Sequence, residues 1–466
     1  MQCRPQLPNL LPPGVVSQWH EAARATLERV GMAVPDEGLA RRLAACSGVR
    51  LEAGRVFFDP AVVEGLIDEV CERNERPAPE PTTDRITLHA GSHAHHYLDP
   101  ATGELRPAST EDLVAATKLV DALSDLDIVG GCPGIPQDVP APVRGLAQTR
   151  LACLYSRHGG RAANGASVRE ARWLWRLAEA AGQPFGLGVH LVSPLEISGN
   201  ELEVALALME EGLSIGVGSM PMIGATAPQS VAGAAIQAMA EAMGGFAALR
   251  LLGARQVGFS VNLYSFDHRT TSIVYGSPEQ NLCDAVQIAV NRYYGATHPA
   301  TRSIRSMSQS VDEQSCAERA ASAVFGALLG SRAFAGAGLL SLDEVFSPLQ
   351  LVLDREIADY AQRVAQGVAL DDPDECVAVI AEGAPRGTYL DHETTVRRFR
   401  SECWMPRFFG HDLLGAWRHR GSRSAVDKAR EMTLEYLRKD SYTCPPERAA
   451  AIDEVYGAAC AALLAR

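Results

Sequence analysis

Residues 184–263, PFGLGVHLVSPLEISGNELEVALALMEEGLSIGVGSMPMIGATAPQSVAGAAIQAMAEAMGGFAALRLLGARQVGFSVNL, decide the fold class. They read as strand 185–191, helix 201–211, strand 214–219, helix 230–252 and strand 256–263. Alternation at this spacing predicts parallel strands joined by crossover helices. The same texture extends in both directions. Further strands are predicted at 127–132, 161–165, 299–306 and 333–339, with helices at 167–181, 278–294 and 312–329. Seven strands at roughly 30-residue spacing, rich in Gly, Ala and Val, favour a closed (β/α)8 TIM barrel over an open dinucleotide-binding sheet. The pattern leaves the eighth strand unplaced.

The flanks differ from this middle. Residues 17–30 form an amphipathic helix with Ser17 as its expected N-cap and Gly31 as its stop, followed by a helix at 38–45, a strand at 55–58 and a helix at 61–71. The stretch 76–83, RPAPEPTT, has three prolines in eight residues and marks a boundary. From 347 onward the pattern is helical, including 347–366 and 424–437. The expected architecture is therefore α/β: a small mixed N-terminal domain (1–105), the barrel (106–410) and a helical C-terminal annex (411–466).

Composition excludes several classes. The chain has 466 residues, 47% hydrophobic and 21% charged, which is ordinary globular usage. With 56 acidic against 43 basic residues its net charge is −13, and no basic stripe stands out, so nucleic acid and anionic lipid are not expected ligands. No uncharged apolar run approaches the ~18–20 residues of a membrane span. Eleven cysteines without any CxxC pair suit free thiols in a reducing cytoplasm and disfavour a structural metal.

Two short motifs carry little. Gly212-Leu213-Ser214-Ile215-Gly216 matches the hydrolase elbow but lies between a helix and a strand, the reverse of what that nucleophile needs. Gly336-Ala337-Gly338 opens like a phosphate loop but has Ser341 where its third glycine belongs. His93, His95 and His96 have metal-ligand spacing, and with His190 and Asp267 they define the alternative of a metal-dependent TIM-barrel hydrolase.

Groups at the C-terminal ends of barrel strands are the functional candidates. These are Gln137, Asp138, Asn164, His190, Met220, Met222, Thr226, Asn262, Tyr264, Phe266, Asp267, Ser306 and Ser308. The set has amides and aromatics but no nucleophile beside an obvious base. That suits a pocket which orients a ligand while another group performs the chemistry.

Several blocks, taken together, resemble the trimethylamine:corrinoid methyltransferase family. They are LERVGMAVPDEGLARRLAACSGVRLEAGRVFFDPAVVEGLI (27–67), PQDVP (136–140), PMIGATAPQSVAGAAIQAMAEAM (221–243), YGSPE (275–279), DEQ (312–314), SPLQLVLDRE (347–356) and HETTVRRFRSECWMPRFF (392–409). The resemblance implies a (β/α)8 barrel that moves a methyl group from a methylated amine to the cobalt of a corrinoid (cobalamin) carried on a separate small protein, with no bound metal of its own. No pyrrolysine is present, so the chain is more similar to the branch without it, some of whose members use quaternary amines such as glycine betaine. The resemblance leads one to expect a histidine in the strand that here reads Ala333-Phe334-Ala335-Gly336, so those members' substrate contacts do not transfer directly.

A quaternary donor leaves as a neutral tertiary amine, which requires no general acid, and the site has only to orient and desolvate. Tyr97, Tyr264 and Phe266 are the expected cation–π cage, with Asp267 or Glu196 setting its potential and Phe334 nearby. A non-catalytic binder of methylated cations is the third alternative. A homo-oligomer is expected.

Overall fold

Seven parallel strands carry the crossover pattern, and they form two ladders. In the computed structural model, which describes residues 2–3, 11–74, 85–159, 165–295, 302–439 and 442–465, they are β1 (Thr87–Ala90), β2 (Ile128–Val129), β3 (Gly186–Leu191), β4 (Ser214–Ser219), β5 (Val257–Phe259), β6 (Arg302–Ser303) and β7 (Ala333–Ala337). One ladder runs β6-β7-β1-β2 and the other β3-β4-β5, all parallel. The last strand therefore pairs with the first, with Leu88 opposite Phe334 and His89 opposite Ala335. The expected strand 161–165 and boundary 76–83 lie outside the described residues, apart from Gly165.

β1 is a parallel strand that the sequence pattern did not predict. It lies within 1–105, the segment read as a separate N-terminal domain. The fold so described is mixed α/β with parallel crossover units.

Side chains alternate across each strand. Leu187, Val189, Leu191, Ile215 and Val217 are buried against helices, as are Leu88, Ile128, Ile304 and Phe334 in the other ladder. The Ala- and Gly-rich helix Val231–Leu251 approaches especially closely: a Cβ on Gly245 would lie 2.3 Å from Leu191 Cδ1, and one on Gly244 would lie 2.3 Å from Met32 Sδ. Ser230, Ser277, Asp312 and Ser347 cap the N-termini of their helices, so these four helices start where the sequence places a capping side chain.

The N-terminal elements are the helices Val15–Arg29, Glu37–Ala44 and Pro60–Asn74 around an antiparallel sheet of Met32–Ala33, Val49–Glu52 and Arg55–Phe58. The first helix starts two residues before the expected Ser17 cap, with Gly14 in the left-handed region as N-cap. The C-terminal helices Ala425–Tyr436 and Pro446–Leu464 pack back on the fold, whereas residues 368–423 extend from it almost unburied. Among the described residues no helix is long and apolar enough to cross a membrane.

Candidate functional site

The strand faces turned away from the helices are barest in β3, β4 and β5. Gly188, Gly216 and Gly258 lie side by side in register across β3, β4 and β5. In the other ladder the corresponding layer is Ser303, Ala335, His89 and Val129. A Cβ added at Gly258 would meet nothing within 4 Å, and one at Gly216 would meet only Leu187 O, at 4.0 Å. Barrel interiors are ordinarily filled by layers of bulky branched residues. Here the equivalent faces leave space, and solvent reaches Ser214, Gly216, His89 and His190.

The C-terminal ends of both ladders converge on this space. His93 lies in the loop after β1, open to solvent on one side while the surrounding protein partly buries its ring. That burial lowers its pKa below the usual value of 6.5; Asp343 opposes the shift, whereas Arg305, His95 and His190 reinforce it. His190 ends β3 in one ladder, and Arg305 lies two residues beyond β6 in the other, so one imidazole feels groups from both.

Around it the contacts are specific. Gln137 Nε2 lies 3.1 Å from His95 Nδ1 and donates to Ile135 O at 2.8 Å. His190 Nδ1 lies 2.8 Å from Glu201 Oε2, which also accepts the His190 backbone N–H. Arg305 is ion-paired to Asp343, and its guanidinium lies 5.1 Å above the Tyr275 ring. Tyr275 meets Tyr264 edge to face, with ring centroids 6.2 Å apart. Burial opposes the charge on Arg305, but Asp343 and the two tyrosines outweigh it and hold the pKa above the ordinary arginine value. Arg305 also lies across Gly336, where a Cβ would be 2.5 Å from Arg305 Cγ and where φ is +86°, so that position of β7 excludes a side chain twice over.

The sequence candidates divide by what they touch. Gln137, His190, Asn262 and Tyr264 belong to the common rim; the Asn262 amide lies over Gly218, 3.0 Å from where its Cβ would be, and reaches Ser219 O at 3.4 Å. Met222 pairs with Tyr264 as a bridge extending the β4–β5 ladder, and Thr226 Oγ1 accepts the Met222 N–H at 2.9 Å to shape that turn. Phe266 and Asp267 lie on a hairpin beyond the rim. Asp267 is clamped by Arg269, whose hydrogen bonds push its pKa down to about 2, and so it already has a cation.

Other candidates serve the scaffold. Asp138 accepts Thr110 N–H at 3.0 Å and the Thr110 hydroxyl at 2.9 Å. Ser306 is buried and donates to Glu318 Oε2 at 2.6 Å, while Ser308 is held by Asp312 at 2.7 Å. Glu196 accepts from Ser198 Oγ at 2.5 Å. Tyr97 is not a rim aromatic: it is 4% exposed, under the Arg106 guanidinium 5.2 Å away. Phe334 is fully buried on the helix side of β7, because the period-two alternation turns Ala333 and Ala335 the other way. Asn164 lies outside the described residues.

Sequence reasoning missed Arg305, Tyr275, Asp343 and His89. Arg305 had a legible signal, since it alternates with Ser303 on the inward face of a predicted strand. Among the described residues no three His, Cys, Asp or Glu groups are grouped so as to hold a metal ion.

Residues 4–456 match the family model described as Trimethylamine methyltransferase (MTTB). The chain is 28% identical over 268 residues to the trimethylamine methyltransferase of Methanosarcina barkeri, covering 57% of this chain and 54% of that protein. It is 24% identical over 426 residues to the glycine betaine methyltransferase of Desulfitobacterium hafniense strain Y51, covering 88% of each. In the first of these matches the chain spans about half the length of its curated relative. The monomethylamine methyltransferase structure from Methanosarcina barkeri aligns over 96% of this chain and 86% of its own, with 12% identity and a TM-score of 0.46. With 453 of its 466 residues inside the family model, this chain belongs to the trimethylamine methyltransferase family.

Proposed function

We propose that this protein is a corrinoid-dependent methyltransferase for a small quaternary amine, and that its two parallel ladders are arcs of one (β/α)8 barrel whose axis is left open for the donor. The observation that carries this reading is the glycine layer Gly188–Gly216–Gly258, which empties the interior just below a rim of aromatic, amide and imidazole groups. The paired rings of Tyr264 and Tyr275 offer π-faces to a methylammonium group, and cation–π attraction is worth roughly 0.5–2 kcal/mol per ring. Asn262, Gln137 and His190 border the same space and orient the rest of the donor.

The acceptor is a reduced corrinoid on a separate small protein, which supplies the nucleophile at the open mouth. The small inward residues of β3, β4 and β5 fit a bulky, flat group approaching that rim. This chain's work is positioning: bringing donor and acceptor into line and excluding water from the methyl group. Because the leaving group is a neutral tertiary amine, no residue has to donate a proton. Consistent with this, His93 is biased towards its neutral form.

The test is methylcobalamin formation, followed spectroscopically, from cob(I)alamin and a panel of betaines, carnitines and methylamines under strict reduction. Transfer from a quaternary member supports the assignment. Binding of these cations without any transfer would leave a non-catalytic binder instead.

A further inference from the structure

Residues 368–423, between helices Pro348–Gln366 and Ala425–Tyr436, fold into the helices Pro373–Gly383, Glu393–Glu402 and Leu414–His419, yet only Gly383, His392 and Phe408 in this arm are buried. Helices this short are not stable alone in water. The arm nevertheless has a defined root: the buried carboxylate of Glu356 accepts the backbone N–H groups of Arg407, Phe408 and Phe409, and Arg363 Nε donates to Glu402 O at 2.8 Å. His392 and Arg398 tie its first two helices together through Glu382 and Asp371. Among the described residues, what it lacks is cover for its apolar side chains. Leu390 is 86% exposed, Leu413 84%, Val377 63% and Ile380 55%. Scattered exposed leucines are ordinary, but a concentration of this kind in one segment marks an interaction surface.

The charges of the arm indicate which partner. Residues 371–382 contain five acidic groups and no basic one, whereas 397–423 contain seven arginines against Glu402 and Asp412. Among the described residues Asp374, Glu375, Arg397 and Arg418 form no ion pair. Over the whole arm nine acidic groups face eight arginines, while the chain as a whole carries −13. Two copies would repel one another over most of their surface but not here. The arm's large exposed apolar side chains present on the order of 1,000 Å², against roughly 800 Å² per partner in a standard interface.

We propose that the arm of residues 368–423 is an isologous interface for a second copy of this chain. The two arms pack about a twofold axis, with the apolar helices against each other and the acidic 371–382 stretch of each copy against the arginine-rich 397–423 stretch of its partner. Twofold symmetry requires a patch that complements itself, and segregation of both charge signs and apolar groups on one arm meets that requirement. The methyl-transfer assignment does not enter the argument, so either can fail without the other.

Sedimentation velocity on the full-length chain over the micromolar range tests it. The wild type should sediment as a dimer or an assembly of dimers. The variant Leu390→Asp/Leu413→Asp should dissociate about 100-fold more readily while keeping its helical circular dichroism. Two further variants guard against misfolding: Asp374→Lys/Glu375→Lys and Arg397→Glu/Arg418→Glu should each associate weakly, yet a one-to-one mixture should recover association, since in the mixed dimer both contacts are again of opposite charge. A monomeric wild type, an unchanged assembly in the double-aspartate variant, or a mixture no tighter than its components would overturn the proposal.

Discussion

Replacing Gly258 separates an open axis from an ordinary packed interior. Its Cβ would meet nothing within 4 Å, its backbone is outside the left-handed region, and its register neighbour is Gly216, whose own Cβ would touch only Leu187 O at 4.0 Å. Gly258→Ala should therefore fold without strain and gain about 0.4–1 kcal/mol, because alanine restricts the unfolded chain. Gly258→Leu extends a branched side chain from that open Cβ position, and its stability is expected to stay near wild type if the space continues along the axis. Its effect falls on the ligand. A donor displaced by about 1 Å from its aligned position loses on the order of 100-fold in rate, equivalent to about 2.7 kcal/mol of transition-state stabilisation. Thermal unfolding and kcat/KM for methyl transfer to cob(I)alamin, measured on both variants, give the two readouts. A leucine variant as stable and as active as wild type refutes the open-axis argument. An alanine variant destabilised by more than about 1 kcal/mol refutes the geometry behind it.

Three further outcomes follow from the same structure. Arg319 and Asp354 are both fully buried and 2.8 Å apart, so Asp354→Leu strands a guanidinium and should cost about 3–5 kcal/mol in urea unfolding, whereas Arg319→Met/Asp354→Leu should recover most of it; a double variant no better than the single one contradicts this. Partial desolvation lowers the pKa of both His89 and His93 from 6.5 although solvent reaches each ring, so the unfolded chain takes up protons first as pH falls below that value; stability should be level above about pH 7, decline modestly below pH 6.5 down to the folded-state values, and decline less in His93→Asn. Tyr264→Leu should weaken a cationic donor by roughly 0.5–2 kcal/mol more than a neutral isostere in calorimetry, and equal losses would show that the ring only packs.

The amino-acid sequence by itself determined the parallel crossover pattern, because strand and helix periodicity, caps and glycine stops are local properties. Gly188, Gly216 and Gly258 stand at alternate positions of predicted strands, so the small inward residues were also legible, as were Gln137, His190, Asn262 and Tyr264 at strand ends. Tertiary structure decided what depends on contacts between distant segments. β1 is four residues, Thr-Leu-His-Ala, with no β-branched run, and becomes a strand because β2, some 40 residues later, and β7, some 240 residues later, supply its hydrogen-bond partners. Tyr97 read as a cage aromatic and Phe334 as a substrate contact until packing buried them, since the pattern of a short strand does not say which face meets the helices. Arg305, Tyr275 and Asp343 come from three separate loops, and no local signal announces that they stack and pair. The ion pair joining Arg305 to Asp343 spans 38 residues of sequence; it exists because the pairing of β6 with β7 brings the segments that follow them together, where an unpaired buried arginine would be costly.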